Sequence, residues 1–130
     1  EALKRFREAI EISHELDNSR NAGNRLSELG RYLLELDQVS EAEAKLEQAG
    51  ELLGESGDSA ALAKLQCHWV HFHLKRGAIN SAERKLDQAL SHFDESRQDR
   101  DSELRAALDE ARELVKGQFE RGRPVVADLD

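Results

Sequence analysis

The segment SEAEAKLEQAG, residues 40–50, returns almost unchanged as NSAERKLDQAL at residues 80–90, forty positions later. A looser third copy, EALKRFREAI, opens the chain at the same forty-residue offset, with Phe6 in the place of the shared leucine. Internal periods of about 20 to 50 residues are typical of solenoids and other repeat arrays. The chain is therefore predicted to consist of repeated structural units.

Apolar residues recur at helical spacing along the chain, as Leu26, Leu29 and Leu33 do, and no run shows the alternation of a strand. The predicted helices are residues 2–16, 22–36, 40–53, 59–76, 80–93 and 102–116. The predicted fold class is therefore all-α, with about six helices.

Capping and breaking residues set the predicted helix ends. Ser40 with Glu43 matches a capping box at the start of the third helix. Gly77 and Gly117 follow the fourth and sixth helices as C-terminal stops. Pro124 prevents a regular helix beyond them, so residues 117–130 are predicted to be a tail.

The repeat unit is interpreted as two antiparallel helices, A followed by B, and the repeated segment is helix B. Ala42 and Ala49 leave room for a neighbouring helix while Leu46 fills the gap between them, and positions 82, 86 and 89 repeat the pattern. The domain at 1–116 then contains helix B of a partial repeat (1–16), two repeats (22–53 and 59–93) and a capping helix (102–116). The alternative makes 102–116 the helix A of a third repeat whose helix B is disrupted.

This arrangement resembles the tetratricopeptide repeat (TPR) family. The residues that carry the resemblance are Leu26, Leu29, Gly30, Leu33, Val39, Ala42, Leu46 and Ala49 in one unit, and Trp69, Gly77, Ile79, Ala82, Leu86 and Ala89 in the next. It implies an α-solenoid with a right-handed superhelical stack. The forty-residue period exceeds the usual length of about 34, and we place the additional residues in LLGESGDSAALAK, residues 52–64, where they give longer helices and a longer connector. Repeats lengthened in this way are similar to those of bacterial regulatory and signalling proteins.

Composition narrows the classes of partner. The 130 residues include 19 Lys and Arg against 27 Asp and Glu, and the net charge of −8 opposes binding to nucleic acid or to an anionic membrane. No apolar run approaches the roughly 18 residues of a membrane span, and no signal-peptide pattern opens the chain. The single cysteine excludes an internal disulfide and fits a reducing compartment. We expect a cytoplasmic protein, and the absence of methionine indicates a segment of a larger one.

The sequence contains no phosphate-binding loop, metalloprotease motif, nucleophile elbow or kinase signature. Its one concentration of metal-capable residues is CHWVHFH, residues 67–73. Cys67 or His68 could share a metal with His71 on one helix face, but a structural site usually needs four ligands. We therefore predict no enzymatic activity, no cofactor and no bound metal. The alternative function is a ligand- or metal-responsive sensor centred on Cys67, His68 and His71.

The resemblance implies that a protein or peptide binds in the concave groove lined by the A helices. The matching positions are Asn24, Ser27, Arg31, Lys64, His68, His71 and Lys75, with Glu28, Leu34 and Cys67 beside them. Their locally basic character suits an acidic segment or a C-terminal carboxylate. We also expect affinity to rise as the histidines gain charge below about pH 6.5. The alternatives are an inner face that packs against neighbouring repeats, and a homodimer formed through an uncovered repeat end.

Overall fold

The computed structural model describes residues 2–15, 19–96 and 102–120, and these residues form helices without any strand. The helices are α1 (Ala2–Glu15), α2 (Ser19–Glu35), α3 (Val39–Ser56), α4 (Ser59–Lys75), α5 (Ile79–Ser96) and α6 (Ser102–Glu120). The predicted all-α class is confirmed for this part of the chain.

The helices form pairs, and the pairs lie side by side. Helix α2 packs on α3, and α4 packs on α5. Helix α4 also contacts α2 and α3, and α6 contacts α4 and α5 in the same way. Within the described ranges, α2, α4 and α6 therefore form a row in which each helix contacts the next, whereas α1, α3 and α5 contact only members of that row.

One turn joins the two helices of each pair, and the two turns have the same geometry. Asp37 (φ 60°) and Gly77 (φ 75°) occupy the left-handed region, forty residues apart. In both turns this residue donates its N–H to the carbonyl three positions earlier at 3.1 Å, and the next residue donates to the carbonyl five positions earlier at 2.9 Å. These bonds define a Schellman motif, which satisfies the last carbonyls of a helix. The predicted helix stop at Gly77 is confirmed.

The connection between the pairs is shorter than predicted. Helix α3 continues to Ser56 and α4 begins at Ser59, so only Gly57 and Asp58 separate them. Gly57 has φ 69°, and the Asp58 carboxylate accepts a hydrogen bond from the Ala61 N–H at 3.1 Å. The predicted lengthening of the helices is confirmed, and the prediction of a longer connector is wrong, because α3 and α4 together take up the additional residues.

Several other predicted helix ends differ from the structure, since α2 begins at Ser19 rather than residue 22 and α5 ends at Ser96 rather than residue 93. Helix α3 begins at Val39 with Gln38 as its N-cap and no side-chain cap bond, so the predicted Ser40–Glu43 capping box does not mark its start. Helix α6 continues through Gly117 to Glu120, so its predicted end at 116 is too early. A glycine inside a helix costs only about 1 kcal/mol relative to alanine, which a long packed helix tolerates. Residues 121–130 of the predicted tail lie outside the described residues.

The core has two clusters, and α4 contributes to both. Leu65 and Phe72 pack with α2 and α3, whereas Cys67 and Val70 pack with residues of α5 and α6. Because α4 contacts four other helices, its apolar residues occupy more than one face. The predicted apolar face of α6 is buried in the second cluster, and its residues are Leu104, Leu108, Ala111 and Val115.

Helix α2 approaches α3 closely at two glycines. A Cβ placed on Gly30 would lie 2.7 Å from Leu46 Cδ2, and one placed on Gly23 would lie 2.8 Å from Leu53 Cγ. Real Cβ atoms do not come this close to another carbon, so the distance between the two helices requires residues without a side chain here. The pairing of Gly23 with Leu53 and of Gly30 with Leu46 also shows that the two helices run antiparallel.

Across the described ranges, no helix combines the length and the apolar character needed to cross a membrane.

Candidate functional site: a polar groove between α2 and α4

The seven predicted groove residues lie on two helices that contact each other. Three are on α2 and four on α4, at spacings of three or four residues that keep each set on one helix side. They are Asn24, Ser27, Arg31, Lys64, His68, His71 and Lys75. The structure divides them among three places: a polar cavity, a carboxylate cluster and a separate ion pair.

The polar cavity, of about 230 Å³, contains four of the seven residues. It is lined by Asn21, Asn24, Arg25, Ser27, Glu28, Lys64 and His68. Ser27 and His68 join the two helices, because the Ser27 hydroxyl lies 2.6 Å from His68 Nδ1. The sequence-based list missed Asn21 and Arg25, which lie one turn apart at the cavity edge on α2.

Burial controls the chemistry of the Ser27–His68 pair. Ser27 is 3 % exposed, so it supports the His68 ring rather than offering its hydroxyl to a partner. Burial, together with smaller effects of His71 and Arg31, lowers the pKa of His68 to about 3, while a hydrogen bond to the Ser27 backbone opposes the shift. His68 is therefore neutral near pH 7.

The carboxylate cluster contains Arg31, His71 and Glu110, from three different helices. His71 Nε2 lies 3.0 Å from Glu110 Oε1, and Arg31 Nη2 lies 3.4 Å from the same oxygen. Arg31 also pairs with Glu35 on its own helix at 3.0 Å. Side-chain exposure is 26 % for Arg31 and 13 % for His71 but 55 % for Glu110, so an exposed carboxylate reaches two half-buried partners.

Desolvation also dominates at His71. Burial and then Arg31 lower its pKa to about 4, whereas Glu110 raises it. A neutral imidazole can still donate its Nε2–H to the carboxylate. The expectation that His68 and His71 gain charge near pH 6.5 is therefore wrong for both residues, since both pKa values lie well below that pH.

Glu110 is a further residue of the candidate site that sequence reasoning missed. At the forty-residue period it aligns with Val70, which is fully buried, and not with a groove position. The period therefore gave no signal for Glu110. The one available signal was the changed register of α6, whose apolar face is placed differently from that of α4.

Lys75 lies in neither the cavity nor the carboxylate cluster. Its Nζ is 2.5 Å from Asp37 Oδ1, in the turn between α2 and α3, and both side chains are exposed. Two other candidates are buried rather than presented to the groove, since Leu34 and Cys67 are each 1 % exposed. Burial, with a smaller contribution from Glu110, raises the pKa of the Cys67 thiol to about 12.

Within the described residues, no group of three or more His, Cys, Asp and Glu side chains is placed to hold a metal ion. Of the three residues named for a sensor, Cys67 is a buried protonated thiol, and His68 and His71 contact Ser27 and Glu110. A thiol must lose its proton to bind a metal well, and a pKa of about 12 opposes that loss.

Comparisons of the chain with protein-family models, with curated proteins and with solved structures give no match. The resemblance to the TPR family therefore depends on the sequence pattern.

Proposed function

We propose that this chain is a TPR-like α-solenoid that acts as a non-enzymatic scaffold and binds an acidic protein segment between α2 and α4. The observation that carries the proposal is the position of the Glu110 carboxylate, which is held by Arg31 and His71. A partner carboxylate that takes the place of Glu110 meets the same two donors, the charged guanidinium of Arg31 and the neutral imidazole of His71.

The arrangement of helices supports the solenoid part of the proposal. Helices α2, α4 and α6 contact each other in order, and the α2–α3 and α4–α5 turns have the same geometry forty residues apart. These features fit a stack of helix pairs in which each unit packs on the next. The right-handed superhelix and the place in a larger bacterial regulatory protein come from the family resemblance.

The polar cavity extends this binding surface along α2 and α4. Asn24 offers amide donors and an acceptor for a peptide backbone, Lys64 contributes positive charge, and His68 contributes a neutral ring. The net charge of −8 repels an acidic partner at long range, so affinity must come from close contacts. We therefore expect specific but slow association.

A peptide-display selection against the whole chain tests the proposal. We expect the selected peptides to be enriched in Asp and Glu, and Lys64→Glu to abolish their binding by reversing the charge at the cavity. The matched control is Arg112→Glu, which makes the same charge change at an exposed position on α6 outside the cavity lining. Selection of neutral or basic peptides, or equal losses in both variants, would reject the proposed groove.

A further inference from the structure

A second, mostly apolar cavity of about 570 Å³ lies on α1, on the side of the fold that has no second neighbour. It is lined by Ala2, Arg5, Phe6, Ala9 and Arg25. We call this surface the α1 seat. It shares only Arg25 with the polar cavity and no residue with the carboxylate cluster.

The equivalent positions of the other two B helices, α3 and α5, show how deeply such a surface is buried when a second helix packs on it. Ala42 and Ala49 of α3 are each 0 % exposed, and so are Ala82 and Ala89 of α5. The large residue between the alanines is fully buried in α3 (Leu46) and half-buried in α5 (Leu86), so the two alanines carry the comparison. Their counterparts at positions 2, 6 and 9 of α1 are only half-buried.

The difference follows from the helix contacts. Helices α3 and α5 each contact two members of the row, one from their own pair and one from the next, whereas α1 contacts only α2. The contact of α1 with α2 therefore corresponds to that of α3 with α4. Among the described residues, no helix packs on α1 in the way that α2 packs on α3.

We propose that the α1 seat binds an amphipathic helix that runs antiparallel to α1, as α2 does on α3. A turn of three residues joins the end of this helix to the start of α1, because three residues join α2 to α3 and three join α4 to α5. Its buried stripe carries a small residue opposite Phe6, since Gly30 is the residue opposite Leu46.

Arg5, one of the two basic residues of the seat, adds a second requirement for the bound helix. Arg5 corresponds to Lys45 and Lys85 at the forty-residue offset. Lys85 Nζ lies 5.7 Å from the centre of the Trp69 ring, on the A helix of its own pair. By the same geometry, Arg5 covers a large apolar or aromatic side chain of the bound helix, with a favourable cation–π contact where that side chain is aromatic.

The seat is continuous with the existing core. Phe6 contacts Tyr32 of α2 with 5.8 Å between ring centres, and Leu3, Phe6 and Ile10 pack against the first core cluster.

A second copy of the chain fits the seat less well. A two-fold contact between two α1 seats would place the Arg5 side chains of both copies within one small apolar interface, where like charges repel, whereas Arg25 is already paired with Glu28 at 2.9 Å.

A graft on the complete chain tests the proposal. The sequence of residues 19–41 is duplicated ahead of Ala2 and replaces Glu1, which keeps the forty-residue register because position 41 corresponds to position 1. The control carries the same graft with its two glycines, the copies of Gly23 and Gly30, changed to leucine. We expect the graft to raise the melting temperature by several degrees and to slow hydrogen exchange in α1 at least about tenfold, and the control to do neither.

Two results would overturn the inference. One is equal protection of α1 by the graft and its overpacked control, because the contact would then lack the required geometry. The other is a dimer of the unmodified chain that Phe6→Glu disperses in light scattering, because the seat would then bind a second copy. Adding Phe6→Glu to the graft provides a further check, and we expect it to remove the gain in melting temperature.

Discussion

Replacement of Gly30 by alanine tests the close packing of α2 on α3. The added methyl group would lie 2.7 Å from Leu46 Cδ2, 2.8 Å from Leu46 Cγ and 3.3 Å from the Ala42 carbonyl oxygen. Leu46 is 0 % exposed, so its side chain has no solvent into which it can turn. Either the leucine leaves its preferred rotamer or the two helices move apart.

The expected magnitude comes from two opposing effects. Alanine stabilises a helix interior by about 1 kcal/mol relative to glycine, and an extra methyl group in a packed core costs about 1 to 3 kcal/mol. Gly30→Ala should therefore lower the free energy of unfolding by about 0 to 2 kcal/mol. Gly54→Ala on α3 is the matched control, because no atom lies within 4 Å of its added Cβ. It should raise the free energy of unfolding by up to about 1 kcal/mol.

Urea denaturation of both variants measures the difference, and a double mutant identifies its cause. Leu46→Ala alone should cost about 2 to 5 kcal/mol. In the Gly30→Ala background it should cost at least about 1 kcal/mol less, because the new methyl group occupies part of the space that the leucine leaves. If Gly30→Ala stabilises the chain as much as Gly54→Ala, or if the two changes at Gly30 and Leu46 are additive, the close-contact argument fails.

Three further predictions concern the turn, the buried histidine and the carboxylate cluster. Asp37→Gly should raise the free energy of unfolding by up to about 1 kcal/mol in thermal melts, because glycine adopts φ 60° without strain and the exposed pair with Lys75 contributes little. Gly77→Ala should do the reverse. Stability should fall as pH decreases from about 6.5 toward 3, because an unfolded histidine binds a proton there and folded His68 does not. The slope is at most about 1.4 kcal/mol per pH unit for each such histidine, and urea titrations at several pH values should show a flatter profile in His68→Gln. An unchanged profile would contradict the burial of that ring. Glu110→Gln should increase the affinity for the selected acidic peptides severalfold in fluorescence anisotropy, because it removes a competing carboxylate from Arg31; unchanged affinity would place the binding site elsewhere.

The sequence predicted the helices well because their buried positions repeat. Leu46 and Ala42 lie at spacings that only a helix face explains, and both are fully buried. The connector was harder to predict because Gly54 and Gly57 look equally able to end a helix. Gly54 lies inside α3, whereas Gly57 has the positive φ of a helix stop. Composition does not distinguish these two cases, since the backbone conformation depends on where the next helix packs.

Four of the seven predicted groove residues line the polar cavity, but the contacts of the candidate site were not predictable. The contact between Ser27 and His68 spans 41 positions and depends on how α2 and α4 are aligned along their axes. Glu110 is exposed, whereas Val70, forty residues earlier, is buried, so α6 does not follow the forty-residue repeat. Neither feature is encoded in the pattern of apolar residues on a single helix.

The pair between Arg31 and Glu110 has a mechanical consequence. It connects the first and third helices of the row across α4, so it resists the separation of α2 from α6. A partly exposed ion pair contributes about 1 kcal/mol, which is less than twice the thermal energy, and it weakens with salt. Added salt therefore weakens one restraint between α2 and α6, and we expect a small increase in the radius of gyration in small-angle scattering as salt is added.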